Sequence, residues 1–124
     1  MAKALGVGGI FFRAKDPKAL AAWYETHLGI NPAPTDMETP PWVTEGGVTV
    51  FAPFSADTDY FASDKSFMIN FRVDDLAGLV AKLTAAGIEV KNDQSMEGLG
   101  RFVHIEDPEG TPIELWEPAT QVPR

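Results

Sequence analysis

Glu114 is the residue of this 124-residue chain whose setting most suggests chemistry, a carboxylate inside the apolar run Ile113-Glu114-Leu115-Trp116. A carboxylate among apolar neighbours can act as a general base or hold a polar group of a ligand. It can equally form an ion pair with Arg13 or Arg72. Those arginines can anchor an anionic group through paired hydrogen bonds, or bind aspartates near the helix starts. His27 lies near the end of a helical stretch, where a cation complements the helix dipole. His104 precedes Asp107-Pro108-Glu109-Gly110, a turn composition. Pairing Glu106 with Thr111 across that turn sets His104 opposite Ile113, on the helix-covered side; a slip of one residue reverses this. There is no cysteine, which excludes disulfides, thiolate metal sites and thiol nucleophiles.

These residues must be positioned by repeated elements. Ile10-Phe11-Phe12-Arg13-Ala14-Lys15-Asp16 matches Ile69-Asn70-Phe71-Arg72-Val73-Asp74-Asp75 in its Ile, Phe, Arg and Asp positions. Val48 to Pro53 matches Ile113 to Pro118 in its aliphatic, aromatic and Pro positions. Two matches in the same order point to a duplicated unit. A helix signal follows each opening strand. Asp16 is a candidate N-cap, Pro17 suits the first helical position, and Leu20, Trp23, Tyr24 and Leu28 share a face before Gly29. Asp75 precedes Leu76, Leu79, Val80 and Leu83, with Gly87 as the stop. The spacing predicts helices over about 17–28 and 76–86. Each helix leads to a short strand and then a hairpin. The hairpins are Trp42-Val43-Thr44 with Val48 to Phe51 about Glu45-Gly46-Gly47, and Arg101 to Glu106 with Ile113 to Glu117. Asn31 to Pro41, with four prolines, reads as loop, and Ser55 to Ser66 as a polar linker. The fold class is therefore α+β: one domain over 1–124, with half-repeats of about 5–54 and 67–120 and a linker at 55–66.

Strand alternation assigns faces. Ile10, Phe12 and Ala14, Ile69, Phe71 and Val73, Val48 and Val50, and Ile113 and Leu115 should face the helices. The opposite face then carries Gly9, Phe11, Arg13, Thr49, Phe51, Met68, Asn70, Arg72, Glu114 and Trp116. That mixture of aromatic and polar groups reads as a concave pocket for a flat, partly polar organic molecule. Phe51 and Trp116 can instead belong to a core.

Composition narrows the partners. Hydrophobic residues make up 44% and charged residues 23%, ordinary for a folded domain. The net charge of −8 and the lack of a basic stripe exclude nucleic acid; the charge serves solubility or attracts a cationic ligand. No apolar run approaches the roughly 20 residues of a membrane span. The start of the chain lacks a signal-peptide pattern, so the expected location is cytoplasmic.

The stretches Gly8-Gly9-Ile10-Phe11-Phe12-Arg13-Ala14-Lys15-Asp16-Pro17, Trp23-Tyr24, Leu28-Gly29, and Asp107 to Pro118 make the chain resemble the vicinal oxygen chelate superfamily. That superfamily includes glyoxalase I, extradiol dioxygenases and bleomycin-resistance proteins. The resemblance covers nearly the whole chain and is more specific for fold than for any reaction. It implies two tandem βαβββ modules forming a curled mixed sheet around a shared cavity, and a homodimer. Metal enzymes of the superfamily place ligands at positions that correspond here to Gly9, Thr49, Met68 and Glu114; only Glu114 can bind a divalent ion. The expectation is no metal and no cofactor, with a divalent metal as the alternative. The resemblance leaves open whether the chain catalyses anything. The leading expectation is a metal-independent binder of a small organic molecule, aromatic or amphipathic. The alternatives are a lyase, isomerase or dioxygenase using Glu114 as metal ligand or general base, and a structural or regulatory module with a vestigial cavity.

Overall fold

Asp16 starts the first helix in a computed structural model, which describes residues 2–119. Its side chain accepts from the Ala19 amide (3.1 Å), Pro17 takes the first helical position, and α1 runs Pro17–Leu28. Gly29 ends it at φ 70°, a left-handed conformation that glycine adopts without a Cβ clash. Strand β1 (Ile69–Arg72) leads to helix α2 (Leu76–Ala85), which is capped by Asp75 (3.0 Å to the Gly78 amide) and by Glu117 (2.7 Å from the Leu76 amide). Strands β2 (Lys91–Met96), β3 (Gly100–Glu106) and β4 (Pro112–Pro118) follow. The helix bounds and the second-half strands lie within a residue of those expected from the sequence, and β2 fills the expected position of the short strand before the hairpin.

One mixed sheet results, in the order β1-β4-β3-β2, with β1 parallel to β4 and the other pairs antiparallel. Its residues from 69 to 118 form one βαβββ module. Leu20 and Tyr24 of α1, Leu76 and Leu83 of α2, Val103 and Ile105 of β3, and Ile113 and Leu115 of β4 make the buried core. The alternation within β1 and β4 thus directs Ile69, Phe71, Ile113 and Leu115 to the helices.

The first half differs from expectation. Among the described residues no strand forms before Ile69, and the first-half runs 10–14, 42–44 and 48–51 take irregular paths. Alternation sets which side chains share a face, but a strand also needs a neighbour's amides and carbonyls. The four second-half strands bond among themselves, and the first-half runs bond to neither free edge. The expected curled sheet of two modules is thus replaced, within one chain, by a single four-stranded sheet.

The β3–β4 turn joins α1 to this module. The Tyr24 hydroxyl donates to Asp107 Oδ2 (2.7 Å), and Asp107 Oδ1 accepts from the amides of Glu109 (2.8 Å) and Thr111 (3.0 Å). Glu109 in turn accepts from the amides of Lys15 (2.7 Å) and Asp16 (3.0 Å). Much of what makes the Asp107-Pro108-Glu109-Gly110 motif distinctive is therefore architectural.

Candidate functional site

The face of the sheet away from the helices carries a polar row to which all four strands contribute. Register sets Asn70 of β1 beside Glu114 of β4, and Glu114 beside His104 of β3. Glu114 is 6% exposed. Its Oε1 accepts from Asn70 Nδ2 (2.8 Å), and its Oε2 accepts from the Tyr60 hydroxyl and lies 2.9 Å from His104 Nε2. His104 Nδ1 lies 3.0 Å from the Asn92 amide nitrogen. A neutral imidazole protonated on Nε2 satisfies both neighbours: it donates to the carboxylate and accepts from the amide. On β2, Asn92 has φ 55° and sits within a register irregularity between Lys91 and Gln94. Such a bulge re-aims side chains, and here it points Asn92 at His104.

Tyr60 enters this row from the linker. Its hydroxyl also accepts from Gln94 Nε2 (3.4 Å), and its ring meets His104 edge to face at 5.2 Å. Burial, followed by the hydrogen bond to Glu114 and that residue's charge, pushes the phenol up to about 12. An open cleft of about 360 Å³ lies beside the row, bounded by Asp59, Tyr60, Asn92, Asp93, Gln94 and His104. Arg101 binds Asp93 through two hydrogen bonds (3.0 and 2.7 Å), which hold that carboxyl below its ordinary range. Another depression, about 300 Å³ near Trp23, Ile88 and the β3–β4 turn, shares no lining residue with this cleft. Its ionisable groups include Asp107, already bonded, and the exposed Lys91–Glu106 pair.

Of the residues selected from the sequence, Asn70 and Glu114 meet in the row. Arg72 and Trp116 lie beside it on the same face. Arg72 donates to the carbonyls of Glu45 (3.0 Å) and Gly46 (3.3 Å), fixing the first-half turn and not Glu114. Trp116 stacks on Phe102 (5.8 Å between ring centroids, 3° between planes) and donates to the Leu99 carbonyl (2.8 Å). Met68 is half-buried just before β1. Phe11, Arg13, Thr49 and Phe51 are exposed on the first-half segments, Phe11 at 95% and Phe51 at 87%, and do not reach the row.

His104 requires a correction. It was expected on the helix side, from pairing Glu106 with Thr111. Instead Glu106 pairs with Pro112 and His104 with Glu114. The Asp107 side chain organises a five-residue loop by accepting from Glu109 and Thr111. That loop shifts the register by one and turns His104 over. An aspartate opening Asp-Pro-Glu-Gly-Thr is the sequence signal for such a loop. Tyr60, Asn92 and Gln94 were not selected from the sequence. Tyr60 sits in a polar linker, where only its being one of two tyrosines in the chain sets it apart.

A family model described as a glyoxalase-like domain matches residues 9–116. The chain belongs to the glyoxalase-like domain family. TnmS3, an antibiotic-binding protein from Streptomyces sp. CB03234, is similar in fold: 24% identity, 85% of this chain and 88% of that chain covered, TM-score 0.55. A glyoxalase/bleomycin resistance protein from the same organism is 28% identical over 42% of this chain, with a TM-score of 0.38; the match spans 46% of that chain's length. No curated protein matches the sequence.

The residues present do not fit the metal that glyoxalase-like enzymes hold. Gly9 offers no side chain, Thr49 is exposed, and Met68 presents a thioether, which suits soft ions and not the usual divalent ones. Glu114 is already occupied by three hydrogen-bond donors. Among the described residues no three His, Asp or Glu side chains converge. No helix among them is long and apolar enough to cross a membrane.

Proposed function

We propose that this chain binds a small organic molecule, without a metal, on the sheet face that carries Glu114 and His104. The observation that carries this reading is the buried Glu114 carboxylate, held by groups from β1, β3 and the linker beside an open cleft. A pocket of this kind orients a ligand through a few polar groups, while aromatic walls provide contact area. Asp59 and Asp93 at the rim, with a net charge of −8, favour a cationic or amphipathic molecule. The similar fold of TnmS3, described as an antibiotic-binding protein, supports a small-molecule reading.

The full pocket includes Phe11, Arg13, Thr49 and Phe51, brought in by a second copy of the chain. Leu5, Phe11, Val43, Val50 and Phe51 are each at least 73% exposed, and apolar segments left open in this way mark association surfaces. In a homodimer the first-half runs add strands to the partner's open edges, giving the curled two-module sheet. Sedimentation at micromolar concentration is expected to give twice the chain mass; a single-chain mass counts against the dimer.

The test of binding is calorimetric titration with cationic aromatic compounds. Micromolar affinity that falls at least tenfold in Glu114→Gln supports the reading. Affinity indifferent to Glu114→Gln and to His104→Ala places the ligand elsewhere. The hydrogen-bonded His104–Glu114 pair also suits a second reading, a lyase or isomerase with Glu114 as general base. In that case the Tyr60 hydroxyl must leave the carboxylate before substrate can reach it.

A further inference from the structure

Tyr60 is an unusual occupant of its position. It is carried by a segment without helix or strand, and its residue is 37% exposed. Its hydroxyl nevertheless reaches the centre of a row built by the whole sheet: Glu114 accepts from it, Gln94 donates to it, and His104 packs against its ring. The segment is tethered nearby by aromatic contacts, Phe54 to Tyr60 at 5.7 Å and Phe54 to Phe61 at 5.9 Å. The polar partners are thus fixed by strand register, whereas the phenol they grip comes from a segment outside any helix or strand. If Tyr60 withdrew, Glu114 Oε2 would lose a donor at a position 6% exposed. Oε2 would then keep only His104, and a buried carboxylate oxygen that loses a donor is costly, so a ligand that displaces Tyr60 must return a donor to the same point. An aromatic hydroxyl does so and also restores the ring contact with His104.

We propose that Tyr60 is a tethered stand-in, and that the ligand of this site is a phenolic aromatic whose hydroxyl takes Tyr60's place between Glu114 and Gln94. The inference rests on the binding site proposed above and names its ligand class. Ligand and Tyr60 compete for one subsite, so the measured affinity is the intrinsic affinity reduced by the fraction of molecules in which Tyr60 is away. Two consequences follow. Removing the Tyr60 side chain tightens phenol binding, and replacing the ligand's hydroxyl by a methoxy group weakens it, because an ether cannot donate to Glu114.

The experiment compares 2-naphthol with 2-methoxynaphthalene by titration calorimetry on the full chain, in wild type, Tyr60→Ala and Tyr60→Phe. The expected result is 2-naphthol binding to Tyr60→Ala at least tenfold tighter than to wild type, and at least tenfold tighter than 2-methoxynaphthalene binds to the same variant. Tyr60→Phe, which keeps the ring but releases the carboxylate, should gain less than Tyr60→Ala but still bind 2-naphthol more tightly than wild type. It carries the test if circular dichroism shows Tyr60→Ala unfolded. Equal affinity for the two naphthalenes, no gain in either variant, or weaker binding in both overturns the inference. Those outcomes leave the cationic-aromatic titration with Glu114→Gln untouched, so failure of this ligand class is distinct from failure of the site.

Discussion

Replacing Tyr24 with Phe removes one oxygen and keeps the ring, yet it should cost the protein about 2 kcal/mol. The hydroxyl donates to Asp107 Oδ2 at 2.7 Å, with Tyr24 7% and Asp107 4% exposed. A hydrogen bond to a charged acceptor contributes about 1.5–3 kcal/mol, and water cannot readily reach the orphaned oxygen. With an unfolding entropy of about 2.1 cal/mol/K per residue, a chain of 124 residues should lose roughly 8 °C in Tm. Asp107→Ala should cost more, since it also frees the amides of Glu109 and Thr111. In the double variant the Tyr24 change should cost far less than it does alone, leaving a coupling of about 1.5 kcal/mol in urea denaturation. A Tyr24→Phe midpoint indistinguishable from wild type, or additive losses in the double variant, would refute the claim that this bond holds α1 to the β3–β4 turn.

Glu114→Gln should lower the urea midpoint by the equivalent of about 1–3 kcal/mol, since an amide nitrogen must then face a donor that the carboxylate had accepted from; an unchanged midpoint contradicts the satisfied row. Both tyrosines are held above the ordinary 10 by burial first and by a carboxylate partner second, Tyr60 at about 12 and Tyr24 higher. Their folded values exceed their unfolded ones, so their contribution to stability is complete below pH 10 and is lost at higher pH, for Tyr60 as pH rises through about 12. Ultraviolet titration of tyrosinate should accordingly show no ionisation midpoint near 10 in the native protein, and a normal midpoint for either tyrosine would disprove its contact. Gly100→Ala should cost about 3 kcal/mol in thermal melts, because φ there is +126° and a Cβ would run into the Glu117 carbonyl, the Ala119 amide nitrogen and Pro118 Cα; a neutral result would mean that the end of the β3–β4 hairpin is set differently.

Both helices were legible because their signals are local: an aspartate cap, an apolar stripe and a glycine stop lie within fourteen residues. The facing of Asn70 and Glu114 was legible for a related reason, since Ile69, Phe71, Ile113 and Leu115 are apolar enough to fix parity without knowledge of the register. His104 was misplaced because its face depends on loop length, which is set by the Asp107 side chain and not by hydropathy. Tyr60 and Asn92 were hidden more deeply. One reaches the row from a linker and the other through a positive φ at a bulge, and neither leaves a periodic trace. The first-half runs 10–14, 42–44 and 48–51 illustrate the opposite limit, an alternating pattern that is plain in the sequence and forms no strand within one chain among the described residues.

The parallel pairing of β1 with β4 has a consequence for how the molecule is born. β4 is the inner strand that touches both β1 and β3, and it is the last of the four to leave the ribosome. Until it emerges, Leu76 and Leu83 of α2 lack the sheet they pack on, and β1 and β3 share no neighbour. The β3–β4 hairpin can close quickly across its short loop, whereas β1 must find β4 across a separation of 44 residues at the Asn70–Glu114 contact, the slower kind of step. The module therefore assembles late and as a unit. A chain stalled before Pro112 carries two helices whose apolar side chains lack Ile113 and Leu115 to cover them, a condition under which nascent chains aggregate or recruit chaperones.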